Sequence, residues 1–151
     1  MTLGKLTEEQ IEEVLTNNSV GRIGCSDGQQ TYVVPVTYVY DGRHIIAHSM
    51  YGMKIRIMRS NPSVCFEVDE IEHLGNWRSV IAWGWFEELR GAEADQALQL
   101  FVERIKPLLL AHATDYADAT DQLNALNELR PMVYRIKLGK RTGRALSLAE
   151  L

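Results

Sequence analysis

The pair Asp41-Gly42 is the strongest hairpin signal in the chain, and it restricts the fold more than any other feature. Asp and Gly tolerate the positive φ that a tight hairpin turn demands, and such turns join antiparallel strands. The flanking runs agree. Thr31 to Tyr40 is β-branched and aromatic, and His44 to His48 (HIIAH) continues as the returning strand. Pro35 interrupts the first run. Having no N–H to give a ladder, it predicts a strand with one side free, at an edge, a bulge or a ligand-facing gap.

Further strands are predicted at Val20 to Ser26 before the turn Asp27-Gly28, at Val64 to Val68, at Trp77 to Leu89 with Gly84 as a bulge, and at Met132 to Leu138. Thr7-Glu8-Glu9-Gln10 has the pattern of a capping box, and Ile11, Val14 and Leu15 follow at helical spacing, so residues 8–17 read as an amphipathic helix. Lys54, Ile55, Ile57 and Met58 form a short helical stripe that stops before Pro62. Residues 92–112 carry Ala94, Leu98, Phe101, Val102 and Ile105 at helical spacing, with a break or kink expected near Pro107, and 119–129 is a second helical candidate. Asp69 to Asn76 reads as acidic and irregular, and the tail RTGRALSLAEL as loosely attached. The sum is a mainly β (α+β) chain: a small closed or split β-barrel of about six antiparallel strands with peripheral helices, in one domain over residues 1–151. Strands and long helices do not alternate regularly, which disfavours a doubly wound parallel sheet.

A chain of 151 residues buries a sufficient core without disulfides or a structural metal. Its 16 basic and 20 acidic residues give a net charge of −4 with no Lys/Arg-rich run, which speaks against nucleic-acid binding. Cys25 and Cys65 lack the spacing of a zinc knuckle or a CxxC pair and read as small buried thiols of a reducing compartment. His44, His73 and His112 share no metal-ligand spacing, so no metal is expected. No apolar run reaches bilayer length and the N-terminus has no apolar signal core, so no membrane partner and a cytoplasmic location are expected.

Two constellations carry chemistry. The first is H-S-M-Y-G-M-K, residues 48–54, where a strand ending in His48 and Ser49 leads through Gly52 to a helix opening at Lys54. A helix start offers unpaired N–H groups and a positive dipole end. A lysine in that first turn opposes the dipole, so its placement asks for an anion such as a phosphate nearby. The GxxxxGK[ST] spacing of a P-loop is absent. His48 reads either as a hydrogen-bond or acid/base partner for a bound ring, or as the satisfied end of an apolar strand. The second constellation is W-R-S-V-I-A-W-G-W-F, where three tryptophans either pack a core or stack on a flat heterocycle, and Trp77-Arg78-Ser79 adds donors. Glu87 and Glu88 are adjacent on a strand and therefore point to opposite faces, which makes them poor acid/base partners.

The series P-V-T-Y, D-G, A-H-S, G-M-K, N-P-S-V-C-F-E-V-D and W-R-S-V-I-A-W-G resembles the pyridoxamine 5′-phosphate oxidase-like FMN-binding split β-barrels, and most closely the branch containing nitroimidazole-resistance proteins. The resemblance covers about residues 5–138 and is specific over 33–85. It implies a homodimer with FMN in the cleft between two barrels. Carried over, the Pro35-Val36-Thr37 strand runs along the flavin, with Thr37 contacting the pyrimidine edge through its backbone. His48 and Ser49 lie beside the ring and the ribityl phosphate, Lys54 holds the phosphate, and Trp77, Arg78 and Ser79 come from the neighbouring strand. His48 matches a position facing the reaction site and is the one catalytic candidate. Two departures speak against pyridoxamine phosphate oxidation: the loop keeps Lys54 without a preceding arginine, and VYRIKLGKRTGR offers no match for the C-terminal substrate-binding Trp and Arg. The function implied is an FMN-dependent oxidoreductase that reduces a small electron-poor molecule, nitroaromatics among them, with electrons from a nicotinamide. The alternatives are a non-catalytic flavin- or haem-binding protein, or a deazaflavin-dependent reductase.

Overall fold

In the computed structural model, the described residues are 2–112, 121, 124 and 131–148. They form one antiparallel sheet of eight strands with three helices. The strands are β1 (Thr2–Lys5), β2 (Val20–Ser26), β3 (Thr31–Thr37), β4 (Val39–Tyr40), β5 (His44–Ser49), β6 (Ser63–His73), β7 (Asn76–Glu88) and β8 (Met132–Ser147). The helices are α1 (Glu8–Asn17), α2 (Met53–Ser60) and α3 (Gly91–His112). The sheet order is β3-β2-β6-β7-β8-β5-β4, with β1 paired to β8.

This order explains why the barrel is split. β3 and β4 stand at opposite ends of the sheet, yet only Tyr38 separates them in sequence. The sheet therefore curls until its ends meet, without a ladder between them. Tyr38 pins that corner: its N–H donates to the Ser19 carbonyl at 2.9 Å, its hydroxyl to the Leu15 carbonyl at 2.8 Å, and its ring stands edge-on to Phe66 with centroids 4.8 Å apart. The run Thr31 to Tyr40, expected as one strand, is thus two. The terminal strand β1 is the other addition to the expected six.

Side chains alternate along the strands, so one set faces the barrel interior. Ile23, Phe66, Val68, Val80, Ala82, Ile45, Tyr134 and Ile136 form its core, and Val14 and Leu15 of α1 and Ile55, Ile57 and Met58 of α2 complete it. α1 has the expected bounds and a complete capping box: Gln10 N donates to Thr7 Oγ1 at 3.2 Å, and Thr7 N to Gln10 Oε1 at 2.9 Å. α3 is attached separately, through a small cluster of Phe101 and Ile105 with Val39 and another of Ala97 with Ile46 and Val133. It runs on through Pro107 as one helix. The candidate helix 119–129 lies outside the described residues but for Asp121 and Asn124.

The hairpin at Asp41-Gly42 is present. Gly42 has φ 97°, and Asp41 Oδ1 accepts from the N–H groups of Arg43 and His44 at 2.8 and 2.6 Å. Pro35 sits on β3, which pairs with β2 alone, so its free side is an open sheet edge. Gly84 lies where the β7–β8 register shifts, as a bulge would. Two expectations are corrected. Asp69 to His73 is regular strand, paired residue by residue with β7 as far as Ile71, so the hairpin loop shrinks to Leu74-Gly75. The segment Arg141–Ser147 is the second half of β8, held between β7 and β1. Both segments are polar and weak in local strand propensity. Each is held by the backbone bonds that the long β7 offers along its two sides.

Candidate functional site

The strand-to-helix junction at residues 48–54 opens into the split. A cavity of about 290 Å³ is lined by Pro35, Val36 and Thr37 of β3, His48 of β5, Lys54 of α2, and Phe101, Ile105 and Leu109 of α3. Because a proline on a paired strand turns its nitrogen away from the ladder, the backbone polar groups of Val33 and Thr37, two residues either side, face the same free edge. β3 thus presents unpaired backbone groups as well as side chains to this cavity.

α2 carries three cations, and their partners differ. Arg56 lies 3.7 Å from Asp27, and Arg59 is paired with Glu88. Lys54 has no carboxylate partner among the described residues. The N-cap residue Gly52 supplies no side-chain hydrogen bond, so the first-turn amides are left for another acceptor. The backbone of Gly52 is extended, at φ −164°, and a Cβ there would meet nothing nearer than the Met50 carbonyl at 4.0 Å. Its backbone does not require a glycine, and the space in front of it is open. An ammonium without a counter-ion, next to uncapped helical N–H groups, is a donor set that fits a phosphate or carboxylate.

His48 is half-buried. Its imidazole stands edge-to-face against Phe101, and burial, followed by the Lys54 charge, holds its proton affinity below the ordinary histidine value. It therefore meets the cavity as a neutral ring near pH 7, able to give one hydrogen bond and accept another.

The structure brings Pro35, Val36, Thr37, His48 and Lys54 together around this cavity, and the other four sequence-predicted residues do not line it. The Ser49 hydroxyl donates to the adjacent Met50 carbonyl at 2.7 Å. Trp77, Arg78 and Ser79 lie on β7, opposite Leu146, Ala145 and Arg144 of β8. The Arg78 guanidinium is held by Glu70 at 2.8 Å and Glu13 at 3.2 Å. Arg141 is likewise held by Glu12, at 2.6 Å, and contacts the Tyr40 hydroxyl. The α3 wall of Phe101, Ile105 and Leu109 was missed by sequence reasoning: helical spacing marks Phe101 and Ile105 as an apolar stripe but does not say what the stripe covers.

A larger open hollow, about 1110 Å³, lies between α1 and the Gly139–Arg141 corner of β8. Glu8, Glu9, Glu12 and Glu13 line it together with Lys140 and Arg141, and Glu12 and Glu13 are paired with Arg141 and Arg78. Glu87 and Glu88 point apart, each onto its own arginine, Arg135 and Arg59. Among the described residues no group of His, Cys, Asp and Glu is arranged to hold a metal ion, and no helix is long and apolar enough to cross a membrane.

Comparison with known proteins agrees with this architecture. An uncharacterized protein of Rhizobium meliloti (strain 1021) is 34% identical over 84 residues, 56% of this chain and 56% of that protein. The alignment thus spans little more than half the length of that relative. A FAD-binding protein from Mesorhizobium loti is 30% identical, covering 97% of this chain and 98% of the other, with a TM-score of 0.77. A candidate 5-nitroimidazole antibiotic resistance protein from Bacteroides thetaiotaomicron shares the fold at 16% identity and a TM-score of 0.68, covering 96% of this chain and 89% of the other. The model of the family described as pyridoxamine 5′-phosphate oxidase matches residues 7–145, and the chain belongs to that family.

Proposed function

We propose that the protein binds a flavin, FMN, in the cavity at the barrel split and acts as a homodimeric oxidoreductase on a small electron-poor molecule, nitroaromatics included. One observation carries the reading: Pro35, Val36, Thr37, His48 and Lys54 line a single cavity, and Lys54 enters it without a carboxylate partner. Lys54 and the uncapped first turn of α2 hold the phosphate. The free edge of β3 offers backbone hydrogen bonds to the ring edge, and His48 contributes a neutral imidazole beside it. A bound flavin supplies the hydride and electron chemistry; the protein's part is to bind, orient and shield it. The FAD-binding relative at 30% identity supports a flavin, and the exposed Val33, Trp83 and Trp85 support burial against a second subunit.

Titration of the purified protein with FMN, FAD, a deazaflavin and haem tests the reading. FMN is expected to bind, raise the melting temperature and give a flavin spectrum. Replacing Lys54 with Ala should weaken FMN binding by about 1.5–3 kcal/mol, the worth of a charge-assisted hydrogen bond. A colourless protein whose melting temperature ignores FMN overturns the proposal, and unchanged affinity in Lys54→Ala overturns the phosphate assignment. A Soret band on haem addition that is lost in His48→Ala points instead to a haem-binding protein.

A further inference from the structure

Histidines in binding sites are commonly oriented by a hydrogen bond on one ring nitrogen, which fixes ring plane and tautomer. His48 has no such bond: among the described residues neither imidazole nitrogen has a hydrogen-bond partner. What touches the ring is Phe101 of α3, with centroids 4.6 Å apart and planes at 81°. Phe101 is itself held, only 3% exposed and packed with Ile105 and Val39, and both aromatic residues line the same cavity. α3 is also tied down beside them, since Arg104 donates to the Tyr40 carbonyl at 2.5 Å.

We propose that Phe101 is a positioning residue for His48: ring contact takes the place of the usual orienting hydrogen bond and leaves both imidazole nitrogens free for the ligand. The edge-to-face arrangement sets the positive edge of one ring against the π-face of the other, which favours one ring plane over free rotation. The helix thus has a role beyond closing the cavity, because it decides how the strand's histidine is presented. This inference rests on the reading of the cavity as a flavin site, and its test separates the two.

In the protein without flavin, the His48 side-chain protons are expected at ring-current-shifted NMR positions. Those shifts should be retained in Phe101→Tyr and lost in Phe101→Leu. With flavin, Phe101→Leu should weaken FMN binding by about 3- to 10-fold, the range expected for an aromatic pair. It should weaken it no further in a His48→Ala background, and Phe101→Tyr should retain the wild-type affinity. Unshifted His48 resonances in the wild type overturn the proposal even if Phe101→Leu does not fold. An affinity loss of equal size with and without His48 also overturns it. Should FMN fail to bind the wild type, the flavin reading falls while the resonances still decide the Phe101–His48 contact.

Discussion

The half-buried His48 couples stability to pH as well as lining the cavity. Its folded proton affinity lies below the ordinary value of 6.5, first through burial and then through the Lys54 charge. The unfolded chain therefore binds a proton more readily. The stability His48 contributes is complete above about pH 6.5 and is lost as the pH falls through the lower folded value. Melting curves taken from pH 6.5 to more acid values should show stability changing less favourably in the wild type than in His48→Gln. A variant with the same pH dependence as the wild type over this interval would contradict this. Lys54 and Arg56 show what was legible at this scale. Both are basic residues at the start of one helix, and no rule of sequence says that Arg56 meets Asp27 while Lys54 meets none. The anion-friendly junction was readable; which cation was free depended on where Asp27 came to lie.

Among the elements, β7 organises the rest. It runs for 13 residues and pairs with β6 on one side and β8 on the other. Its irregularity at Gly84 is enforced by packing: a Cβ there would lie 2.6 Å from Ile136 Cγ2 and 2.6 Å from the Lys137 carbonyl oxygen. The carbonyl belongs to the neighbouring strand and cannot step aside cheaply. Gly84→Ala should therefore destabilise the fold by about 1–3 kcal/mol, the cost of overpacking, measured as a lowered urea midpoint. A midpoint equal to the wild type would show that the strands spread freely at the bulge. The bulge and the Asp41-Gly42 hairpin were visible in the sequence because glycine marks them. The strands at Asp69–His73 and Arg141–Ser147 were not, because their own residues are polar and the pairing that holds them comes from distant segments.

At the scale of the whole molecule, the outer face of the sheet exposes several large apolar side chains around a charged cluster. Register places Val33, Gly24, Cys65 and Trp83 in one row across β3, β2, β6 and β7, and Pro35, Arg22, Glu67 and Ile81 in the next. Val33 is 65% exposed, Trp83 44% and Trp85 54%. These exposed apolar side chains suit burial against a second copy, which is the basis of the proposed homodimer. Light scattering should give twice the chain mass, and Trp83→Glu should shift it toward the monomer. A wild-type monomer with full flavin occupancy would overturn the dimer. Within the second row, Arg22 lies 3.7 Å from Glu67 and 3.5 Å from Asp69, and burial, with the Asp69 hydrogen bond and charge, pushes Glu67 up to about 7. By itself the sequence determined the antiparallel strand content, the capped first helix, the hairpin and a side of Pro35 free of the ladder, because each rests on local backbone chemistry. Only the tertiary structure decided that β3 and β4 part at Tyr38, that Pro35, His48 and Lys54 share one cavity, and that α3 supplies its fourth wall. Those outcomes depend on how a twisted sheet curls back on itself, which no short stretch of residues specifies.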